Sequence, residues 1–179
     1  MNVRHSSKSD TWMTPPWLVE IARQVLGEID LDPASSAIAN QAVKAKSYIT
    51  REMDGLLLPW TERPITIFLN PPGSKVQNKS QAGLFWDKLM FYREKGLVNH
   101  AIYIAFSLEQ LQVTQLSCRR SLLEFPLCIP KRRVKYVDPT DGSRKSASHG
   151  SAVAYVPGAI DRSDEFEQTF RELGIVLRN

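Results

Sequence analysis

The sequence predicts an α/β fold in one domain: a mostly parallel sheet covered by helices on both faces, with an antiparallel hairpin at its edge. Three observations lead there. Segments of helical periodicity alternate with short β-branched and aromatic runs, the pattern of strands joined by helical crossovers. Two of those runs stop at polar, proline-bearing turns, Asp32-Pro33 and Asn70-Pro71-Pro72, where proline cannot continue a central ladder. The chain has 179 residues, 42% of them hydrophobic, enough to bury one self-sufficient core over 1–179 and short for two.

Thr14 is placed to cap a first helix with Pro15 at its first position. Leu18, Ile21, Ala22 and Val25 then form one apolar stripe, and Gly27 stops it. Ile29 to Leu31 is a short strand ending at Asp32-Pro33, followed by a short helix from Ile38 to Lys46. Ile65 to Leu69 is a run rich in β-branched and aromatic residues and reads as a buried strand. Leu84 to Lys95 is helical, His100 to Phe106 is a second apolar strand, and Ser107 with Gln110 has the spacing of a capping box. Lys131 to Val137 and Ser151 to Val156 bracket Asp141-Gly142 and read as the two arms of an antiparallel hairpin. Ser163 caps a last helix carrying Phe166, Phe170 and Leu173, Gly174 closes it, and Ile175 to Leu177 forms a final strand.

Charge is concentrated. Residues 131–150 hold Lys131, Arg132, Arg133, Lys135, Arg144 and Lys145 against Asp138 and Asp141, an excess equal to the whole net charge of +4. One basic segment on a balanced chain suits a polyanion partner, and a solvated hairpin is the plainer reading. No apolar run approaches the length of a membrane span, and the polar segment from Met1 to Asp10, expected to be flexible, has no signal-peptide core. Cys118 and Cys128 stand among leucines without a CxxC spacing and read as reduced structural thiols, so the expected compartment is cytoplasmic. His5, His100 and His149 have no metal-ligand spacing, and no metal is expected.

In sheets of this kind ligands sit beyond the carboxyl ends of the strands, where both proline turns should face one crevice. The prolines of Asn70-Pro71-Pro72 restrict the backbone around Asn70, so its side-chain oxygen and a neighbouring main-chain carbonyl can converge as fixed acceptors. Such a pair fits a planar NH2 group, holding both hydrogens and leaving the nitrogen lone pair free to attack a strong electrophile. Asp32, followed by the small residues Pro33, Ala34, Ser35 and Ser36, can hold an ammonium or a ribose hydroxyl. Asp54-Gly55-Leu56 is a third acidic turn. Each of the three also reads as an ordinary structural turn, and no GxG occurs anywhere.

The succession Asp10-Thr11-Trp12-Met13-Thr14-Pro15, Leu31-Asp32-Pro33-Ala34-Ser35, Asp54-Gly55-Leu56 with Trp60, and Asn70-Pro71-Pro72-Gly73 with Phe85-Trp86 and Lys88 resembles the phage Dam-like DNA N6-adenine methyltransferases, over about residues 9–157. That resemblance implies S-adenosylmethionine as methyl donor, a Rossmann-like methyltransferase fold, and adenine in DNA as acceptor. It places Thr14, Pro15, Asp32, Pro33, Ala34 and Ser35 by the methionine end of the donor, Asp54 and Leu56 by its adenine, and Asn70, Pro71, Pro72 and Gly73 at the target amine. A phage-encoded protein of this kind would work in the host cytoplasm. Two departures stand out. The residue after Asn-Pro-Pro, usually an aromatic that stacks on the base, is Gly73, so another ring must serve, with Trp86 or Phe85 as candidates beside a core-packing role. Ala34, Ser35 and Ser36 stand where a glycine-rich donor loop is usual.

Lys75 and Lys79, with Arg132, Arg133, Arg144 and Lys145 of the basic hairpin, are the residues expected to meet nucleic acid, since the chain has no room for a separate recognition domain. Two other readings remain open: methylation of another planar amine or amide, such as an RNA base or a glutamine side chain, and a catalytically silent DNA-binding module.

Overall fold

The structure, a computed structural model, describes residues 12–116, 119–146 and 149–178. The expectations for Met1 to Asp10, Thr11, His5 and Cys118 lie outside them. A seven-stranded sheet forms the centre of the protein. Its parallel part comprises β1 (Leu31–Asp32), β2 (Ser47–Tyr48), β3 (Ile65–Leu69) and, after two short strands β4 (Lys75–Val76) and β5 (Lys79–Ser80), β6 (Val98–Ala105). Beyond β6 come β7 (Leu127–Pro130), β8 (Lys135–Val137), β9 (Arg144–Ser146), β10 (Ala152–Pro157) and β11 (Gly174–Leu177). The order across the sheet is β11-β7-β10-β6-β3-β1-β2, with β10 antiparallel to both neighbours and β11 antiparallel to β7 at the edge. Five strands therefore run one way, as the Rossmann-like expectation requires.

Both faces are covered, and strand alternation divides the core between them. From β6, Ala101, Tyr103 and Ala105 join Trp60, Phe85, Trp86 and Leu89 on the face covered by α3 (Gln81–Glu94). Ile102 and Ile104 join Leu18, Ala22, Phe166 and Phe170 on the opposite face, under α1 (Pro16–Leu26) and α5 (Ser163–Phe170). All five residues of β3 are buried, which is why its sequence reads as one apolar run. Two further short helices, α2 (Ala37–Val43) and α4 (Glu109–Val113), pack beside α1 and α3 respectively. No helix among the described residues is long and apolar enough to cross a membrane.

Several local expectations are corrected. The basic hairpin does not pair residues 131–137 with 151–156. Lys135–Val137 pairs instead with Arg144–Ser146 in a separate ribbon, and Ala152–Pro157 returns to the centre of the sheet. Thr14 does not cap α1, because Pro15 is the N-cap residue and Pro16 opens the helix without needing a donor. Ser107 accepts from the Glu109 amide, but Gln110 does not reach back; its side chain is buried and accepts from Tyr103 Oη at 2.7 Å. A capping box does form at Ser121 and Glu124. Ser163 lies inside α5, with its amide and hydroxyl both donating to Asp161.

His100 has the structural role expected of it. It is 1% exposed, its Nδ1 is 3.1 Å from Tyr155 Oη, and Tyr155 Oη accepts from the Arg162 amide at 2.7 Å. Burial, reinforced by the Arg162 charge, pushes its pKa down to about 4, so the ring is neutral in the folded protein near pH 7.

Candidate active site

Strands β1 and β3 are parallel neighbours, with Leu31 opposite Ile67, so their carboxyl ends open side by side. Asp32-Pro33-Ala34-Ser35-Ser36 leaves one, Asn70-Pro71-Pro72 leaves the other, and Trp12-Met13-Thr14 and the 50–56 turn close the space between them. The result is a cavity of about 330 Å³, within the range of small-molecule sites. Thr14, Asp32, Pro33, Ala34, Ser35, Asp54, Leu56, Asn70, Pro71 and Pro72 all line it. Pro15 and Gly73 are not among the lining residues: Pro15 is buried and its carbonyl starts α1, while Gly73 is exposed and meets Phe106.

The 50–56 turn owes its position to four residues. Asp54 adopts a left-handed backbone (φ 58°), and its Oδ1 accepts from the Leu56 amide at 2.9 Å, an Asx turn. Gly55 lies so close to the first turn that a Cβ there would sit 2.0 Å from the Pro33 carbonyl oxygen. Lys88 of α3 donates to the carbonyls of Gly55, Leu56 and Leu58, and Trp60 Nε1 donates to Gly55 O at 2.8 Å. Burial lowers the Lys88 pKa and the nearby Asp54 charge opposes that shift. Gly55→Ala should therefore force the two turns apart. We expect a loss of about 1–3 kcal/mol of stability, the range for overpacking against a fixed wall, readable by urea denaturation. An unchanged midpoint would show that the turns do not touch.

Asp32 is the least solvated charge of the cavity. It is 3% exposed, and one oxygen accepts from the Ala34 amide at 3.2 Å. Burial raises its pKa to about 7, partly offset by the Ser35 hydroxyl and the Ala34 amide. Ser35 Oγ, buried in the same wall, completes no hydrogen bond. Buried polar groups are ordinarily paired, so this wall can take up a group that brings donors or positive charge.

Across the cavity, Asn70 is half-buried and its Nδ2 points at the Trp12 carbonyl, 3.5 Å away. That arrangement turns the nitrogen end of the amide toward the protein and leaves Oδ1 as the acceptor for an incoming group. Phe85 and Trp86 are not free to stack on anything. Phe85 is 4% exposed and packs 6.4 Å from Trp60, while Trp86 is fully buried with Nε1 donating to Arg120 O. The Lys88 staple and the Trp12 carbonyl escape a reading of the sequence, since both act on residues far along the chain.

Two basic hairpins flank the cavity. The β4–β5 hairpin follows Ser74 directly; Lys75 and Lys79 are exposed, and Val76 lines the cavity wall. The β8–β9 hairpin is tied to the cavity's edge by paired 3.0 Å hydrogen bonds between Met13 and Val137. Arg132 and Arg133, which precede β8, and Arg144 of β9 are exposed; the Lys145 side chain lies outside the described part. Among the described residues no group of three His, Cys, Asp or Glu could hold a metal ion.

No curated protein matches the chain at a significant level. A solved structure from Listeria monocytogenes, described as that of a putative class I S-adenosylmethionine-dependent methyltransferase, is similar with a TM-score of 0.47 and 10% sequence identity. The match covers 88% of this chain and 64% of that one, so this chain spans less than two thirds of that protein's length. The family model for DNA N-6-adenine-methyltransferase (Dam) matches residues 2–114, which include the Asp32, Asp54 and Asn70 turns. The chain belongs to the Dam family of DNA N6-adenine methyltransferases.

Proposed function

We propose that this chain methylates the N6 amino group of adenine in DNA, with S-adenosylmethionine held in the cavity beside Asp32 and the target base presented to Asn70. The observation that carries the reading is the meeting of two unlike walls in one cavity: a wall of buried Asp32 beside the unpartnered Ser35 hydroxyl, and the Asn70-Pro71-Pro72 turn facing it.

The residues fit the donor. Asp32 supplies a negative charge to a cationic end, Ser35 Oγ an unused polar atom, and the Asp54-Gly55-Leu56 turn a cleft wall beside it. When bound, the donor supplies a methyl group activated by a sulfonium. At the acceptor, Asn70 Oδ1 and the Pro71 carbonyl take the two amine hydrogens and orient the nitrogen lone pair into the cavity. Fixed acceptors of this kind cost no reorganisation as charge develops on the nitrogen. No general base is required for the attack, because the amine uses its own lone pair; the spent donor would leave as a neutral thioether, and the methylated, cationic nitrogen would then give up one of its two original protons to solvent.

Lys75, Lys79, Arg132, Arg133 and Arg144 would hold DNA phosphates on either side of the extruded base. Replacing Arg132, Arg133 and Arg144 together with alanine should weaken non-specific DNA binding. The slope of log K against log salt should become shallower by about 0.9 for each phosphate that the variant no longer neutralises. An unaltered slope in a salt titration would make the hairpin a solvated surface.

The test of the function is transfer of radiolabelled methyl from S-adenosylmethionine to DNA, RNA and protein in parallel, with calorimetric titration of the donor. Label in DNA is expected. Label confined to RNA or protein would move the substrate class, and absence of donor binding would reduce the chain to a silent DNA-binding module.

A further inference from the structure

An extruded base loses its stacking neighbours and must be held on a ring or apolar face as well as by its edge. The Asn70-Pro71-Pro72 turn offers edge acceptors and no ring. The rings of Phe68, Phe85 and Trp86 are committed to the core. Trp12 is half-buried, lines the cavity and packs against the core under α1, and its carbonyl accepts from Asn70. What sets Phe106 apart is its contact with the residue that follows the turn. Phe106 is half-buried, stands just past the carboxyl end of β6, one strand over from Asn70, and presents its tip to Gly73. A Cβ at residue 73 would lie 2.9 Å from Phe106 Cζ and 3.2 Å from Cε2, so the ring fills the space that the glycine leaves beside the turn.

We propose that Phe106 is the ring on which the target adenine stacks, supplied to the Asn-Pro-Pro turn by the neighbouring strand and admitted by Gly73. The inference rests on the adenine-methyltransferase reading above. The main chain at Phe106 is fixed, its carbonyl accepting from Ser151 Oγ at 3.3 Å, with Ser151 Oγ 3.2 Å from Tyr136 Oη. The ring itself is held by packing, against Gly73 on one side and the core on the other, so little side-chain freedom is given up when a base arrives.

The experiment compares the intact wild-type chain with Phe106→Leu and Phe106→Tyr, measuring kcat/KM for methyl transfer to adenine in unmethylated genomic DNA and donor affinity by calorimetry. Leucine keeps apolar bulk against Gly73 without a π face, whereas tyrosine keeps the ring. Phe106→Leu should lose about 5- to 150-fold in kcat/KM, the span for removing one base–aromatic stack, with donor affinity within about twofold of wild type. Phe106→Tyr should stay within about threefold of wild type. The proposal is overturned if Phe106→Leu matches wild type, if Phe106→Tyr loses as much as Phe106→Leu, or if donor affinity falls in step with kcat/KM, which would mark a structural role. A wild type that binds the donor but labels no adenine overturns the methyltransferase reading, and this proposal with it.

Discussion

Asn70→Ala should lower single-turnover methyl transfer at saturating donor by about 100- to 1000-fold, by analogy with deleting one preorganised hydrogen-bonding group from an oxyanion site. Donor affinity should change by less than about twofold, because Asn70 faces the acceptor amine across the cavity from Asp32. Asn70→Asp discriminates further. It retains an acceptor oxygen for the amine, but it replaces the nitrogen that now points at the Trp12 carbonyl with an oxygen. Two oxygens would then face each other, so we expect partial activity, lower than wild type by about tenfold, the effect of one missing hydrogen bond with an unmatched buried partner. Wild-type turnover in Asn70→Ala, measured by rapid quench, would reduce Asn70-Pro71-Pro72 to a turn.

Asp32→Asn should separate ligand binding from stability. The asparagine keeps an acceptor for the Ala34 amide and removes a carboxylate that burial holds at a pKa of about 7. Donor affinity should fall by about 10- to 150-fold, equivalent to the 1.5–3 kcal/mol of a charge-assisted hydrogen bond. The thermal midpoint above pH 7 should hold or rise, since a desolvated charge has been removed from the fold. The sign of the pH dependence follows from the raised pKa. A cationic ligand binds the ionised carboxylate, so wild-type affinity should weaken by about tenfold per pH unit below pH 7 and level off above it, with a proton released on binding in the acid range. Asp32→Asn should abolish that dependence. Calorimetry at pH 6 and pH 8 checks both statements, and a pH-independent wild-type affinity would show that Asp32 does not meet the donor's charge.

The legible parts of the sequence are those whose cause is local or whose burial is complete. Ile65–Leu69 is apolar but for the buried Thr66 because both faces are covered, and its end is fixed by the prolines that follow. The three candidate-site turns can be read for the same reason: Asp, Asn, Gly and Pro act on their own backbone. The hairpin misleads because Asp141-Gly142 marks a turn without telling how far its strands extend. The ribbon stops at Ser146, and Ala152–Pro157 takes up a place between β6 and β7 that only tertiary pairing determines. Helix α3 begins earlier than its apolar pattern because Ser80 caps it by accepting from the Gly83 amide. Lys88, which the sequence offers only as part of the family resemblance, without a role, proves to hold a turn some thirty residues away through three carbonyls. The stacking ring is hidden for a similar reason: Phe85 and Trp86 are close to the motif in sequence, whereas Phe106 reaches Gly73 from another strand.

The central claim is that the acceptor pair at Asn70 serves the N6 amine of adenine, and the cytosine N4 amine has the same planar shape. The most direct measurement is therefore the identity of the product: unmethylated DNA incubated with the protein and donor carrying a deuterated methyl group, digested to nucleosides and resolved by mass spectrometry. The account predicts that the deuterated methyl appears in N6-methyldeoxyadenosine. Its appearance in a methylated cytosine, or in no nucleoside while the donor still binds, would contradict it.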